Sequence, residues 1–131
     1  MADRRVLARL RITPCGLFDQ VTRTIVLKQI GSDYFLEVFE RERQTKKQSR
    51  RCVAVSEVVV RQQLAALKLT TIPAVPVSPM VFDGAYIELT IEGEHSTLTI
   101  GWWTTPPDGA EGVAEFADWL SKVGLGREED H

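Results

Sequence analysis

Cysteine and histidine are scarce in this chain, with two of each among 131 residues. Cys15 and Cys52 are far apart, so neither forms part of a C-x-x-C pair. Small secreted domains carry a denser, paired set, so a reducing compartment and a cytoplasmic location are expected. His95 falls in a turn-like stretch and His131 in a charged one, and neither makes an H-x-x-x-H spacing. A carboxylate-rich calcium loop is also missing, so no metal site is expected. The glycine motifs that cradle phosphates, G-x-G-x-x-G and G-x-x-x-x-G-K-[ST], do not occur, and no cofactor is expected. No apolar run approaches the roughly 18–20 residues of a membrane span. The first ten residues, MADRRVLARL, interleave charge with apolar side chains, so no secretory leader is expected either.

What the chain does contain is ordinary for a folded domain. Hydrophobic residues make up 44% and charged residues 26%, which excludes whole-chain disorder, a collagen-like repeat and a disulfide scaffold. The length suits one domain, read as residues 1–126, with an unstructured tail over 127–131. Net charge is -2, yet it is unevenly spread. Residues 1–62 hold 13 lysines and arginines against seven acids, whereas residues 63–131 hold three against 11. Such asymmetry either cancels when the halves fold together or marks a charged partner.

Alternation identifies strands. Val6, Ala8, Leu10 and Ile12 form one apolar stripe, ended by Pro14 and Gly16. Thr22 to Ile30 reads as a second strand, Gly31 to Asp33 as a turn, and Tyr34 to about Gln44 as a third. In that third strand Tyr34, Leu36 and Val38 face one way and Phe35 and Phe39 the other, the pattern of an interior strand. Residues 40–51, ERERQTKKQSRR, carry six basic and two acidic side chains without an apolar anchor. They read as a solvated hairpin tip, with Cys52 to Val55 returning as a short strand.

Ser56 suits a helix N-cap, and Val60, Leu64 and Leu67 follow at helical spacing. Leu69 to Pro79, with Pro73, Pro76 and Pro79, reads as an extended connector. Ala85 to Ile91 and Ser96 to Trp103 alternate around Glu92-Gly93-Glu94-His95, a hairpin pattern. Pairing Ile91 with Ser96 sets Leu89 against Leu98, Ile87 against Ile100, and Tyr86 against Gly101. Asp108 and Glu111 form a capping box. Val113, Phe116, Ala117, Leu120 and Val123 make a single helical stripe, with Gly124 as its stop. Short turns between the strands exclude a mainly parallel sheet. The expected fold is therefore α+β: a mainly antiparallel sheet of about five or six strands with two helices packed on one face.

Catalytic chemistry is thinly represented. Cys15, between Pro14 and Gly16, is the one nucleophile in a setting suited to a strained turn, but no spacing brings a histidine to it. Asp83, Glu88 and Glu92 read as solvated carboxylates, so catalysis is not expected. Binding surfaces are better represented. Trp102 and Trp103 must face opposite ways, which sends Trp103 to the face of Tyr86. With Glu88, Glu92 and Glu94 these two aromatics form a candidate protein-binding surface. Arg41, Arg43, Lys46, Lys47, Arg50 and Arg51 form the alternative, a candidate nucleic-acid surface.

The stretches LKLTTIPAVP, from Leu67, and DGAYIELTI, from Asp83, precede Gly101-Trp-Trp and PPDGAEGVAEFADWL. Together they resemble the C-terminal half of many small bacterial proteins of no assigned activity. The likeness covers residues 64–123 and implies structural roles only. In size and acidity the chain is also similar to immunity proteins, which neutralise a toxin by covering its active site. The reading is a non-enzymatic accessory or toxin-neutralising protein acting through a protein surface. Nucleic-acid binding through residues 41–51 is the alternative, and a hydrolase or thiol enzyme at Cys15 the third.

Overall fold

Each alternating segment forms a strand. The computed structural model describes residues 4–14, 21–68, 85–92, 97–103 and 111–126. In chain order these form β1 (Arg4–Pro14), β2 (Val21–Ile30), β3 (Asp33–Glu42), β4 (Gln48–Val55), α1 (Glu57–Lys68), β5 (Ala85–Glu92), β6 (Thr97–Trp103) and α2 (Glu111–Gly124). All six strands join one antiparallel sheet in the order β4-β3-β2-β1-β5-β6. This is the α+β arrangement that the alternation implies.

The sheet has two unlike faces because residues two apart along a strand share a face. On one face Leu10 stands opposite Ile25 and Leu89, Ile25 opposite Val38, and Leu89 opposite Ile100. These residues are buried under Val60 of α1 and Val113, Phe116 and Leu120 of α2. Burying each such side chain contributes about 1.5–3 kcal/mol, so one strip of sheet and two helix stripes form the core. The opposite, open face carries Arg9, Arg11, Thr24, Glu37, Phe39 and Arg50, and no described element covers it.

Local chemistry explains the connections. Gly31, at φ 63°, is the first central residue of the two-residue β2–β3 turn, and a positive φ there matches the twist of the flanking strands. The Ser56 carbonyl accepts from the Val60 amide at 3.0 Å, starting α1. Trp119 packs beside Phe116 with ring centroids 5.7 Å apart, as helical spacing implies.

Four details depart from the sequence reading. A bulge between Val6 and Ala8 sets Val6 opposite Lys28 and Ala8 opposite Leu27. Val6 therefore leaves the stripe, and Leu7 is buried instead. β4 begins at Gln48, four residues before Cys52, because backbone pairing with β3 forms this strand without apolar side chains. The β5–β6 register is shifted by two: Ile91 faces Leu98, and Leu89 faces Ile100. An even shift keeps every side chain on its expected face. The Thr90 and Thr99 hydroxyls then share a 3.1 Å hydrogen bond, and Tyr86 covers Gly101 diagonally rather than directly.

The fourth departure is the end of α2. Gly124 lies inside the helix and is buried, and Gly126, at φ 70°, is the left-handed stop. Gly124 serves by its missing side chain: a Cβ there would sit 3.1 Å from Ile25 Cγ2 and 3.3 Å from Val38 Cγ2. The proline connector, the Asp108 cap and the 127–131 tail lie outside the described residues. Gly124→Val should force α2 away from β2 and β3 and lower stability by about 1–3 kcal/mol in urea denaturation. Wild-type stability in this variant would show that the helix does not need this close approach.

Candidate functional site

β3 sends Glu37, Phe39 and Arg41 to the open face, because they alternate with buried Leu36 and Val38. β4 adds Arg50, opposite Phe39, and β2 adds Thr24, Lys28 and Thr22. β1 adds Arg11, opposite Thr24. One cross-strand row thus reads Arg11, Thr24, Phe39, Arg50, and the next reads Thr22, Arg41, Gln48. A recess of about 560 Å³ along these rows is lined by Arg11, Thr24, Phe39, Arg41 and Arg50, with Glu40 as its one carboxylate. A second recess, about 260 Å³, continues from Thr22 and Arg41 to Arg43 and Pro14.

Glu37 is the anchor of this face. It is only 3% exposed, and its two carboxylate oxygens pair with Lys28 and with Arg50. The bond from Lys28, then that from Arg50, holds the carboxyl below the ordinary glutamate range, although burial alone would raise it. Arg50 in turn lies over the Phe39 ring, 5.8 Å from its centroid, within cation–π range. Phe39 stays 38% exposed. Glu40 is engaged by Arg23 at 3.3 Å, whereas no ion pair among the described residues takes Arg11, Arg41 or Arg43.

The basic stretch divides between the two faces. Arg41 and Arg50 line the recess and Arg43 its extension. Lys46, at φ 58°, and Lys47 lie at the exposed β3–β4 tip, where the Glu42 amide donates to the Lys47 carbonyl at 2.8 Å. Arg51 points the other way, and its guanidinium donates to the Gly124 carbonyl at 2.8 Å. A cation at a helix C-terminus complements the helix dipole, so Arg51 holds α2 to the sheet edge.

Of the candidate protein-binding residues, Tyr86, Glu88 and Glu92 are half-buried on the open face of β5, with Glu88 opposite Arg11. The Trp103 backbone stands opposite Tyr86. Glu94 and Cys15 lie outside the described residues. Cys52 is a free, exposed cysteine on β4. Among the described residues, no three metal-ligating side chains cluster, and no helix is long and apolar enough to cross a membrane. Sequence reasoning missed Glu37 and the grouping of Arg11 with Phe39, Arg41 and Arg50. The available signal was an acid at an interior position of a strand with apolar residues on both faces.

Two measurements test these assignments. Glu37 stays ionised to lower pH in the folded chain than in the unfolded one. Its contribution is therefore complete above the unfolded value, about 4.3, and is lost as pH falls through the folded value. Urea denaturation stepped from neutral pH to about pH 3 should show this loss, and Glu37→Gln should remove that part of it. Equal acid dependence in the two proteins would refute the assignment. Arg51→Ala should cost about 1 kcal/mol in the same assay, and an unchanged midpoint would mean that the Gly124 contact is not stabilising.

The chain's sequence matches no protein-family model and no curated protein, so the reading of this surface rests on its own chemistry.

Proposed function

We propose that this chain is a non-catalytic cytoplasmic binding module that engages a protein partner through the open face of its sheet. The observation that supports this most is the unequal coverage of the sheet. Both helices pack on one face, while the other presents an exposed phenylalanine among Arg50, which Glu37 holds, and Arg11 and Arg41, which no described carboxylate pairs. Such a surface combines an apolar centre with charged edges, the composition of a specific interface. Arginine and large aromatics supply most of the energy at such sites. Tyr86, Glu88 and Glu92 extend the same face with the opposite charge, giving it a polarity that fixes the partner's orientation. The exposed Cys52 thiol suits a reducing compartment. In a bacterial cell, an accessory or toxin-neutralising role would use such a surface to cover a partner by shape and charge.

The test is affinity capture from nuclease-treated host lysate with three proteins. These are the wild type, an open-face variant carrying Thr24→Glu, Arg41→Glu and Thr90→Glu, and Val58→Glu on the exposed side of α1. A stoichiometric partner should be retained by the wild type and by Val58→Glu and lost from the open-face variant. Retention by the open-face variant, or loss only in Val58→Glu, would overturn the reading.

A further inference from the structure

We propose that the recess between Arg11 and Arg50 is the docking site for an acidic segment of the partner, in which carboxylates flank one large apolar side chain. This rests on the binding-module reading and names the chemistry that the module recognises. Phe39 lines the recess and stays exposed, which gives it an apolar surface beside the guanidinium of Arg50. Arg11 and Arg50 stand at the two ends of its row, three strand spacings or about 14 Å apart. Arg41 stands beside that row, on the strand that carries Phe39. An apolar side chain packed against the exposed part of Phe39 thus has guanidinium groups on several sides. Guanidinium pairs with carboxylate through two parallel hydrogen bonds, which gives direction as well as charge.

Preorganisation favours this use. Glu37 holds Arg50 and Phe39 sits beneath it, so this guanidinium is already ordered before a ligand arrives. Arg50 shares its charge with Glu37. Arg11 and Arg41, which no described side chain neutralises, therefore supply most of the attraction.

The extent of the charge selects a protein segment over a nucleic acid. The basic zone ends at β5, where Glu88 stands opposite Arg11 and Glu92 lies beyond it. Across the strands the row from Arg11 to Arg50 spans about 14 Å, which an extended segment with carboxylates on one side, about 7 Å apart, covers with roughly three anionic groups. A nucleic acid neutralised at so few phosphates gains little from counterion release, since the salt slope scales with the number of contacts. A longer strand would run into the acidic β5 side, in a chain whose net charge is already -2. A short acidic segment satisfies the arginines and stops there.

Fluorescence anisotropy with the full chain tests this, using a labelled Glu-Glu-Phe-Glu-Glu peptide, its Gln-Gln-Phe-Gln-Gln counterpart and a labelled deoxythymidine dodecamer. The acidic peptide should bind, weaken several-fold between about 50 and 200 mM salt, and exceed the glutamine peptide at least tenfold. The double variant Arg11→Glu, Arg41→Glu should weaken it at least tenfold, and Phe39→Ser should weaken both peptides. Should the double variant fail to fold, Arg41→Gln replaces it, with a several-fold loss expected. Equal binding of the two peptides, or no loss in the arginine variants, would overturn the proposal. So would tighter binding of the dodecamer that the same variants abolish, which would make the recess a nucleic-acid site. A captured partner lost from the open-face variant but retained by Arg11→Glu, Arg41→Glu would remove this recess and leave the binding-module reading standing. Peptide binding through these arginines alongside a partner retained by the open-face variant would do the reverse.

Discussion

A carboxylate that water barely reaches, Glu37, joins three strands through two cations. Lys28 comes from β2, Arg50 from β4, and Glu37 from β3 between them. A buried charge without such partners would cost several kcal/mol, so the pair and the third charge stand or fall together. The arrangement does for the open face what apolar packing does for the other. It fixes side chains in place where neither described helix packs. Arg50 cannot swing freely while Glu37 holds it, and Phe39 lies under its guanidinium. Among the described residues, the surface at this end of the sheet is therefore set by an electrostatic contact inside the sheet rather than by a helix packed on it.

Strand parity distributes the rest. Arg50 and Arg51 are neighbours in sequence with opposite tasks, one facing the recess and the other bonded to the end of α2. A one-residue register slip in β4 would exchange them, placing a guanidinium against the core and removing one from the open face. The pairing of Leu36 with Val53 and of Phe39 with Arg50 therefore serves stability and surface chemistry together. Gly124 completes the link, because α2 approaches β2 and β3 closely only where no side chain intervenes, and that approach brings its carbonyl to Arg51.

Much of this was legible in the residues. Period-two alternation located the strands, and the stripe from Val113 to Val123 located α2, since both signals arise from one-sided burial. The positions that escaped are those decided by partners distant in sequence. The Val6–Ala8 bulge depends on how β1 meets β2, and nothing local marks it. The two-residue shift of β5 against β6 leaves the facial pattern unchanged, so alternation alone could not tell the two registers apart. β4 extends through Gln48 to Arg51 because β3 offers backbone partners, although these residues have no apolar reason to form a strand. The recess escaped for the same reason: Arg11, Phe39, Arg41 and Arg50 come from three strands. Along the chain the basic run from Arg41 contains no aromatic, but across the sheet Phe39 lies directly beside Arg50.

The same geometry resolves the charge asymmetry of the two halves. The basic first half supplies β1 to β4, one side of the sheet, and the acidic second half supplies β5, β6 and α2. Because β1 is central, the halves meet along the β1–β5 ladder, where Arg11 stands opposite Glu88 and Arg9 opposite Thr90. Along that seam the open face passes from basic to acidic side chains. Away from it, on β3 and the β3–β4 tip, the positive charge of Arg41 and Arg43 stays exposed. A chain with a net charge of only -2 therefore presents a sheet face that is positive at one end and negative at the other. A partner meeting that face is oriented by both ends at once, which a uniformly charged surface cannot do.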